Sequence, residues 1–226
     1  MKSKNRNVAR RALGVRLKTA RGRRVSSTRW LQRQLNDPYV RAARESGYRS
    51  RAAFKLIELD ERFDFLKNVR TAVDLGAAPG GWSQVLVSKL KPHSVIVAID
   101  KADIDPIEGV LVIKKDIESQ DALTEILDVT GSKVDLVLSD MAAASTGHAR
   151  TDHIRVMALC EIAMVIAENI LEQKGTFVAK VLKGGTEREL LDRLKRSFGK
   201  VRHAKPPASR ADSAEVYVIA QGFKES

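Results

Sequence analysis

The stretch Asp74-Leu75-Gly76-Ala77-Ala78-Pro79-Gly80-Gly81-Trp82 constrains the fold more than any other part of the chain. It follows a short apolar run, Thr71-Ala72-Val73, and precedes a helix-like segment from Ser83 to Leu90. That order reads as strand, glycine-rich turn, helix. Glycines in such a turn can take positive φ and, lacking a Cβ, let a ligand lie against the backbone. The helix start behind the turn offers N–H groups without intrahelical partners. Asp74 adds a carboxylate at the strand's end, where open α/β sheets bind ligands. A generic turn between strand and helix needs fewer special residues than Gly76, Pro79, Gly80 and Gly81 supply together.

Beyond this turn the sequence alternates. Strands are expected at Thr71–Leu75, Val95–Asp100, Val110–Ile113, Val134–Ser139 and Thr176–Leu182, with helices over Asp121–Val129, Asp152–Glu172 and Glu187–Phe198 between them. Such alternation implies an α/β fold with a mainly parallel sheet and helices on both faces. Two last strands, Val201–Ala204 and Glu215–Gln221, have no helix between them and suit an antiparallel hairpin. Upstream, Ser26-Ser27-Thr28 offers helix caps, and Pro38 interrupts the helical run that follows. A second helix starts near Ser50 and carries Ala53, Phe54, Leu56, Ile57, Leu59 and Phe63 at helical spacing, so one of its faces packs on a core.

Charge is distributed unevenly. The chain holds 40 Lys and Arg against 28 Asp and Glu, a net charge of +12. Residues 1–36 contain twelve of the basic residues and none of the acidic ones, which leaves the remainder balanced at 28 of each. Residues 1–25 lack apolar periodicity and read as a basic, disordered arm; residues 26–226, including the N-terminal helices of 26–65, form the folded domain. A charge block this pure fits a polyanion such as nucleic acid; a solvated tail and an Arg-rich organelle transit peptide are the alternatives. No run of 18 apolar residues predicts a membrane span, and no apolar segment follows the basic N-terminus as in a secretory signal. The single Cys160 sits in an apolar helical pattern and reads as a buried, inert thiol.

Acids recur at the ends of successive strands: Asp74, Asp100, Asp116 and Asp140. In a parallel sheet those ends share one crevice. Asp100 lies 24 residues after Gly76, near the offset at which an acid grips the ribose of an adenosine-containing ligand. The glycine spacing is not the G-x-G-x-x-G of pyrophosphate binding, and no phosphate loop occurs elsewhere, which suits S-adenosylmethionine better than a dinucleotide. Lys180 interrupts the apolar run Phe177 to Leu182, and Glu215 opens another, Val216 to Ile219. An unpaired charge is costly in such places, so the two read as a paired functional site or a structural ion pair. Histidines 93, 148, 153 and 203 lack metal-ligand spacing, and no metal is expected.

The segments Ser50 to Leu56, Asp74 to Gln84, Ser139-Asp140-Met141-Ala142, Val178-Ala179-Lys180-Val181 and Glu215-Val216-Tyr217 occur in an order and spacing that resemble the FtsJ family of 2′-O-ribose methyltransferases acting on large-subunit ribosomal RNA. The resemblance spans roughly residues 27–224. It implies a class I S-adenosylmethionine-dependent methyltransferase fold: a Rossmann-like seven-stranded sheet with the last strand antiparallel. It implies a catalytic set of Lys55, Asp140, Lys180 and Glu215, and cofactor contacts from Gly80, Trp82, Asp100, Asp116 and Asp140, to which Asp74, Gly76 and Gly81 of the glycine turn are added. Lys180 is the candidate for orienting the ribose hydroxyl and, in its amine form, accepting its proton. The implied substrate is a uridine ribose in 23S rRNA of the large subunit, the cofactor S-adenosylmethionine (product S-adenosylhomocysteine), and the enzyme a cytoplasmic monomer, or a mitochondrial one if the arm is a transit peptide. An RNA-binding assembly factor with the same fold, or the same chemistry on another RNA, are the rival readings. The family commonly places proline and asparagine after Asp-Met-Ala; here Ala143 and Ala144 follow.

Overall fold

The computed structural model describes Leu17 and residues 25–143, 146–182 and 187–224. The expected arm, apart from Leu17 and Val25, and Ala144 lie outside these residues. Three helices open the folded part: α1 (Val25–Leu35), α2 (Pro38–Glu45) and α3 (Ala52–Phe63). The break between the first two follows from Asp37-Pro38. Asp37 is extended and caps α2 by accepting from the Tyr39 N–H at 3.0 Å, and Pro38 takes the first turn, where its missing N–H costs nothing.

The sheet elements follow in alternation: β1 (Thr71–Leu75), α4 (Gly81–Lys89), β2 (Val95–Asp100), β3 (Leu111–Lys114), α5 (Ala122–Thr130), β4 (Val134–Ser139), α6 (Ala149–Ile170), β5 (Leu171–Leu182), α7 (Glu187–Ser197), β6 (Phe198–Ala204) and β7 (Glu215–Phe223). Their order across the sheet is β3-β2-β1-β4-β5-β7-β6. Strands β3, β2, β1, β4 and β5 are parallel neighbours; β7 enters between β5 and β6 and runs antiparallel to both. The last strand is therefore not at the edge. Strand β5 starts five residues before the expected Thr176. Leu171 already pairs with Val134, and the polar stretch Glu172 to Gly175 is taken up as an irregularity with Lys174 at φ 71°.

Alternation along each strand divides the core. Val73, Leu75, Val97, Ile99, Val137 and Phe177 face one way, against Ile126 of α5, Met164 of α6 and Leu194 of α7. Ala72, Ile96, Leu136, Leu138, Val178 and Ile219 face the other, against Leu56 and Leu59 of α3 and Val85 and Leu86 of α4. Each such Leu or Ile removed from water contributes about 1.5–3 kcal/mol, so a one-residue slip of a strand would lose both layers at once. Among the described residues no helix is long and apolar enough to cross a membrane, and no group of His, Cys, Asp or Glu is arranged to hold a metal ion. Cys160 is buried, which pushes its thiol up to about 12 and leaves it unreactive. What matters for function is the switch point between β1 and β4. Their neighbours cross over in opposite directions there, and a crevice opens at the carboxyl ends of the strands.

Candidate active site

That crevice holds a cavity of about 650 Å³ lined by Gly76, Asp100, Asp116 and Asp140, together with Met141, Ala142 and residues of α6. Gly76 has φ +71°, and a Cβ on it would run into Met141 Cγ, so glycine is what lets the turn and the Met141 side chain share this wall. The N–H groups of Gly76 and Ala77 both go to the Ile99 carbonyl, at 2.8 and 3.1 Å, which fastens the turn to β2. Asp100 is fixed by two backbone donors, the N–H of Ala78 at 2.9 Å and of Ala102 at 2.8 Å. Asp116 accepts from the Glu118 N–H at 3.1 Å and pairs loosely with Lys101 at 3.7 Å. Two carboxylates thus reach the cavity from the ends of β2 and β3, with a Cβ-free backbone wall opposite.

Ala78 also lines the cavity, whereas Asp74, Gly80, Gly81 and Trp82 of the turn do not. Asp74 is buried inside β1 and accepts from the Ser83 hydroxyl at 2.7 Å. Burial, reinforced by the charges of Asp140 and Asp100, raises its carboxyl to about 7 despite the Ser83 bond. Gly80 has φ +104°, with Ile107 Cδ1 2.6 Å from where a Cβ would stand. Gly81 starts α4 against Ser50. Trp82 donates its indole N–H to the Ala52 carbonyl at 2.8 Å and packs on Tyr217, ring centroids 5.8 Å apart. Gly81 and Trp82 thus pack the turn against the start of α3, and Gly80 packs against the loop that carries Ile107.

On the α3 side of the crevice the four distant charged residues converge. Lys180, 5% exposed, stands inside β5 on the face shared by Val178. Its ammonium donates to the Asp140 carbonyl at 2.8 Å and lies 3.1 Å from Asp140 Oδ1 and 3.9 Å from Glu215 Oε1. Lys55 Nζ, delivered by α3, lies 3.3 Å from Asp140 Oδ2 and 3.6 Å from Glu215 Oε2. Each lysine bridges the same two carboxylates, and the set is neutral overall. Burial alone would raise the Asp140 carboxyl, but the ammonium groups of Lys55 and Lys180 and the Tyr217 hydroxyl outweigh it and hold the group below the ordinary carboxylate range.

Tyr217 is the member that sequence reasoning missed. Its hydroxyl donates to Asp140 Oδ1 at 2.5 Å, and its ring lies 5.5 Å from Lys55 Nζ. Burial, with the adjacent Asp140 carboxylate, keeps the phenol protonated by pushing its pKa well up. The signal was present in the period of the strand: Tyr217 is two residues from Glu215, hence on the same face, and β7 sets it opposite Lys180.

Asp140 belongs both to the cavity and to this cluster, so a ligand in the cavity abuts the lysines across a single carboxylate. The arrangement can hold a ligand in the cavity beside two ammonium groups that share the Asp140 carboxylate. A family model of FtsJ-like methyltransferases matches residues 48–223. The chain belongs to the FtsJ-like methyltransferase family. Its similarity to the ribosomal RNA large subunit methyltransferase E of Zymomonas mobilis is 58% identity, over 92% of this chain and 94% of that protein. To the protein of the same name from Parvibaculum lavamentivorans it is 55%, over 95% and 88%. Among solved structures, a Plasmodium falciparum protein assigned as a ribosomal RNA methyltransferase superposes with a TM-score of 0.70 at 30% identity, over 78% of this chain and 98% of that one. A Lactococcus lactis protein assigned as a hemolysin, 15% identical with a TM-score of 0.56 over 79% and 90%, shares the fold alone. The family's seven-stranded sheet with a reversed β7 is the one described above.

Proposed function

We propose that this chain transfers a methyl group from S-adenosylmethionine to the 2′-hydroxyl of a uridine ribose in 23S rRNA of the large ribosomal subunit. The observation that carries the reading is Lys180: an ammonium inside a buried strand, held by Asp140 at the rim of a cavity of cofactor size. A lysine in that position has no structural purpose that an apolar residue would not serve better.

The residues of the cavity fit the cofactor. Asp100 and Asp116 offer acceptors for ribose hydroxyls and an adenine amine, Gly76 offers an unobstructed backbone, and Asp140 offers a carboxylate at the inner end. Asp74, Gly80, Gly81 and Trp82 act from behind, by shaping the turn. When bound, S-adenosylmethionine supplies an electrophilic methyl group on a sulfonium.

The protein's task is then orientation and removal of one proton. Lys180 would orient the ribose 2′-oxygen and, in its amine form, take the hydroxyl proton when that oxygen displaces the sulfur from the methyl carbon, which leaves S-adenosylhomocysteine. Asp140, held ionised by its three donors, fixes the Lys180 and Lys55 nitrogens. Lys55 and Glu215 close the acceptor side. Recognition of the RNA is largely electrostatic, through the basic arm and the basic residues of 26–55. The enzyme acts as a monomer in the cytoplasm; the relatives from Zymomonas mobilis and Parvibaculum lavamentivorans are bacterial and lend the organelle-transit reading no support.

The test is transfer of labelled methyl from S-adenosylmethionine to large subunits isolated from a strain lacking the activity, with the product nucleotide mapped. One 2′-O-methyluridine in 23S rRNA is expected. Label on transfer RNA alone, or on a base, would overturn the assignment.

A further inference from the structure

Residue Ala208 lies in the loop between β6 and β7, and side chains of α3 and its N-terminal cap hold both of its backbone groups. Its N–H donates to Glu58 Oε2 at 2.6 Å, and its carbonyl accepts from the Arg51 guanidinium. Glu58 Oε1 in turn accepts from the Tyr39 hydroxyl of α2 at 2.8 Å. Arg51 also pairs with Asp37 at 2.6 Å, and Arg210, two residues beyond Ala208, reaches the same Asp37 oxygen at 3.5 Å. The arrangement is sheltered: the side chains of Arg51 and Asp37 are 16% and 8% exposed, and Ala208 is fully buried. Within the loop Lys205 donates to the carbonyls of Ala211 and Ser213, and the Ser213 hydroxyl accepts from the Glu215 N–H at 3.2 Å. The braces therefore run without interruption from α3 to the first residue of β7.

The cluster around Asp140 has an inner and an outer part. Asp140, Lys180 and Tyr217 sit in or at the end of strands whose register is fixed by the sheet. Lys55 lacks that support, and Glu215 has it on one side only, opposite Leu182 of β5 and beyond the last residue that β6 pairs. Lys55 rides on a helix, and Glu215 begins its strand where a ten-residue loop ends, with its side chain 28% exposed. Residues 51, 55 and 58, spaced by four and three, lie on one face of α3, so the face that presents Lys55 is the one that grips the loop leading to Glu215.

We propose that Glu58 is a positioning residue for the acceptor side of the methyl-transfer reaction. By holding Ala208 from α3 while Arg51 holds it from the other side, Glu58 fixes the distance between Lys55 and Glu215. It touches neither substrate nor cofactor. This inference rests on the function proposed above. Release of the Ala208 N–H would let the loop and α3 separate, and a displacement of about 1 Å in a group that orients the nucleophile can cost on the order of 10²-fold in rate.

The experiment measures methyl transfer to large subunits by wild type, Glu58→Ala, Glu58→Gln and Glu58→Asp, with cofactor affinity and thermal midpoint determined for each. Glu58→Ala is expected to lower kcat on the order of 10- to 100-fold, with KM for the subunit and Kd for S-adenosylmethionine within about threefold of wild type. Glu58→Gln keeps an oxygen for the Ala208 N–H and should recover most of kcat. Glu58→Asp, one methylene short, should behave like Glu58→Ala, and gives the same comparison if the alanine variant does not fold. A rise in KM for the subunit at unchanged kcat would make this face an RNA contact and overturn the inference. Equal loss in the Gln and Ala variants would overturn it too, because charge rather than the bond to Ala208 would then matter. An inactive wild type would defeat the assignment of function itself; an active wild type with an unaffected Glu58→Ala defeats only the positioning role.

Discussion

Asp74 offers a test of the buried half of the site that requires no substrate. Its carboxyl rises from an ordinary 3.8 to about 7 on folding, because β1 removes it from water and only the Ser83 hydroxyl compensates among its hydrogen bonds to side chains. The sign runs opposite to the usual aspartate. Between about pH 4 and pH 7 the folded chain retains a proton that the unfolded chain has released, so stability falls as pH rises through that window and levels off above it. A displacement of about three pH units, at roughly 1.4 kcal/mol each, makes the full penalty about 4 kcal/mol, of which some 2–3 kcal/mol falls between pH 5 and 8. Asp74→Asn keeps an oxygen for Ser83 and removes the titration. The difference in unfolding free energy between variant and wild type, from urea melts without cofactor, should therefore grow in favour of the variant by roughly 2–3 kcal/mol from pH 5 to 8, with the urea slope unchanged. Contributions from Asp140 are common to both proteins and largely cancel. A difference that stays within about 0.5 kcal/mol across that range, or shrinks as pH rises, would refute the reasoning.

Three further outcomes are expected. Lys180→Met retains most of the apolar stem but no nitrogen, and should lower methyl transfer on the order of 10³-fold while cofactor binding, by calorimetry, stays largely intact; near-normal turnover would remove Lys180 from the mechanism. Tyr217→Phe keeps the ring against Trp82 but deletes a donor that holds the Asp140 carboxyl low, so the acid limb of the pH–rate profile should move to higher pH and stability should drop by about 1–2 kcal/mol in denaturant melts. Deletion of residues 1–25 should weaken binding to large subunits and flatten its dependence on salt, measured by filter binding across a salt series; an unchanged slope would separate the arm from the RNA.

Much of the donor side was legible in the sequence because it is local. The turn from Gly76 to Gly81 announces itself by glycine and proline, and Asp100 and Asp116 follow strands whose apolar runs are plain. The charged pair Lys180 and Glu215 was visible for another reason: a charge inside an apolar strand must have a partner, and the two are indeed 3.9 Å apart. What escaped was whatever depends on pairing between distant segments. The resemblance to the family named Lys55, but an isolated lysine on a helix carries no signal of the two carboxylates it meets across 85 and 160 residues of chain. Tyr217 reads as an ordinary aromatic in a strand until β7 is known to lie beside β5. Asp74, grouped with the ligand-binding acids because it ends an apolar run, points into the protein at the fourth of five strand positions, and only the register of β1 reveals this. The polar residues Glu172 to Gly175 hid the start of β5, since four such residues in succession have the composition of a loop.

The two halves of the site therefore answer to different physics. The half that faces the cavity takes its turn and its two acids from β1, β2 and β3, strands that follow one another in the chain and lie side by side in the sheet, with the turn fastened to β2. The half that holds the lysines is assembled from α3, β4, β5 and β7, and nothing within any one of them fixes its distance to the others. A core of interdigitated side chains can hold strands to sub-ångström tolerance. It does so for Asp140, Lys180 and Tyr217, whose strands are adjacent in the sheet. It does less for α3, an element outside the sheet, whose Lys55 must nevertheless meet two carboxylates at once. Directional polar contacts on Ala208 supply that last constraint, which is why buried charges occur at the junction of α3 and the β6–β7 loop, where apolar residues would stabilise the fold as well.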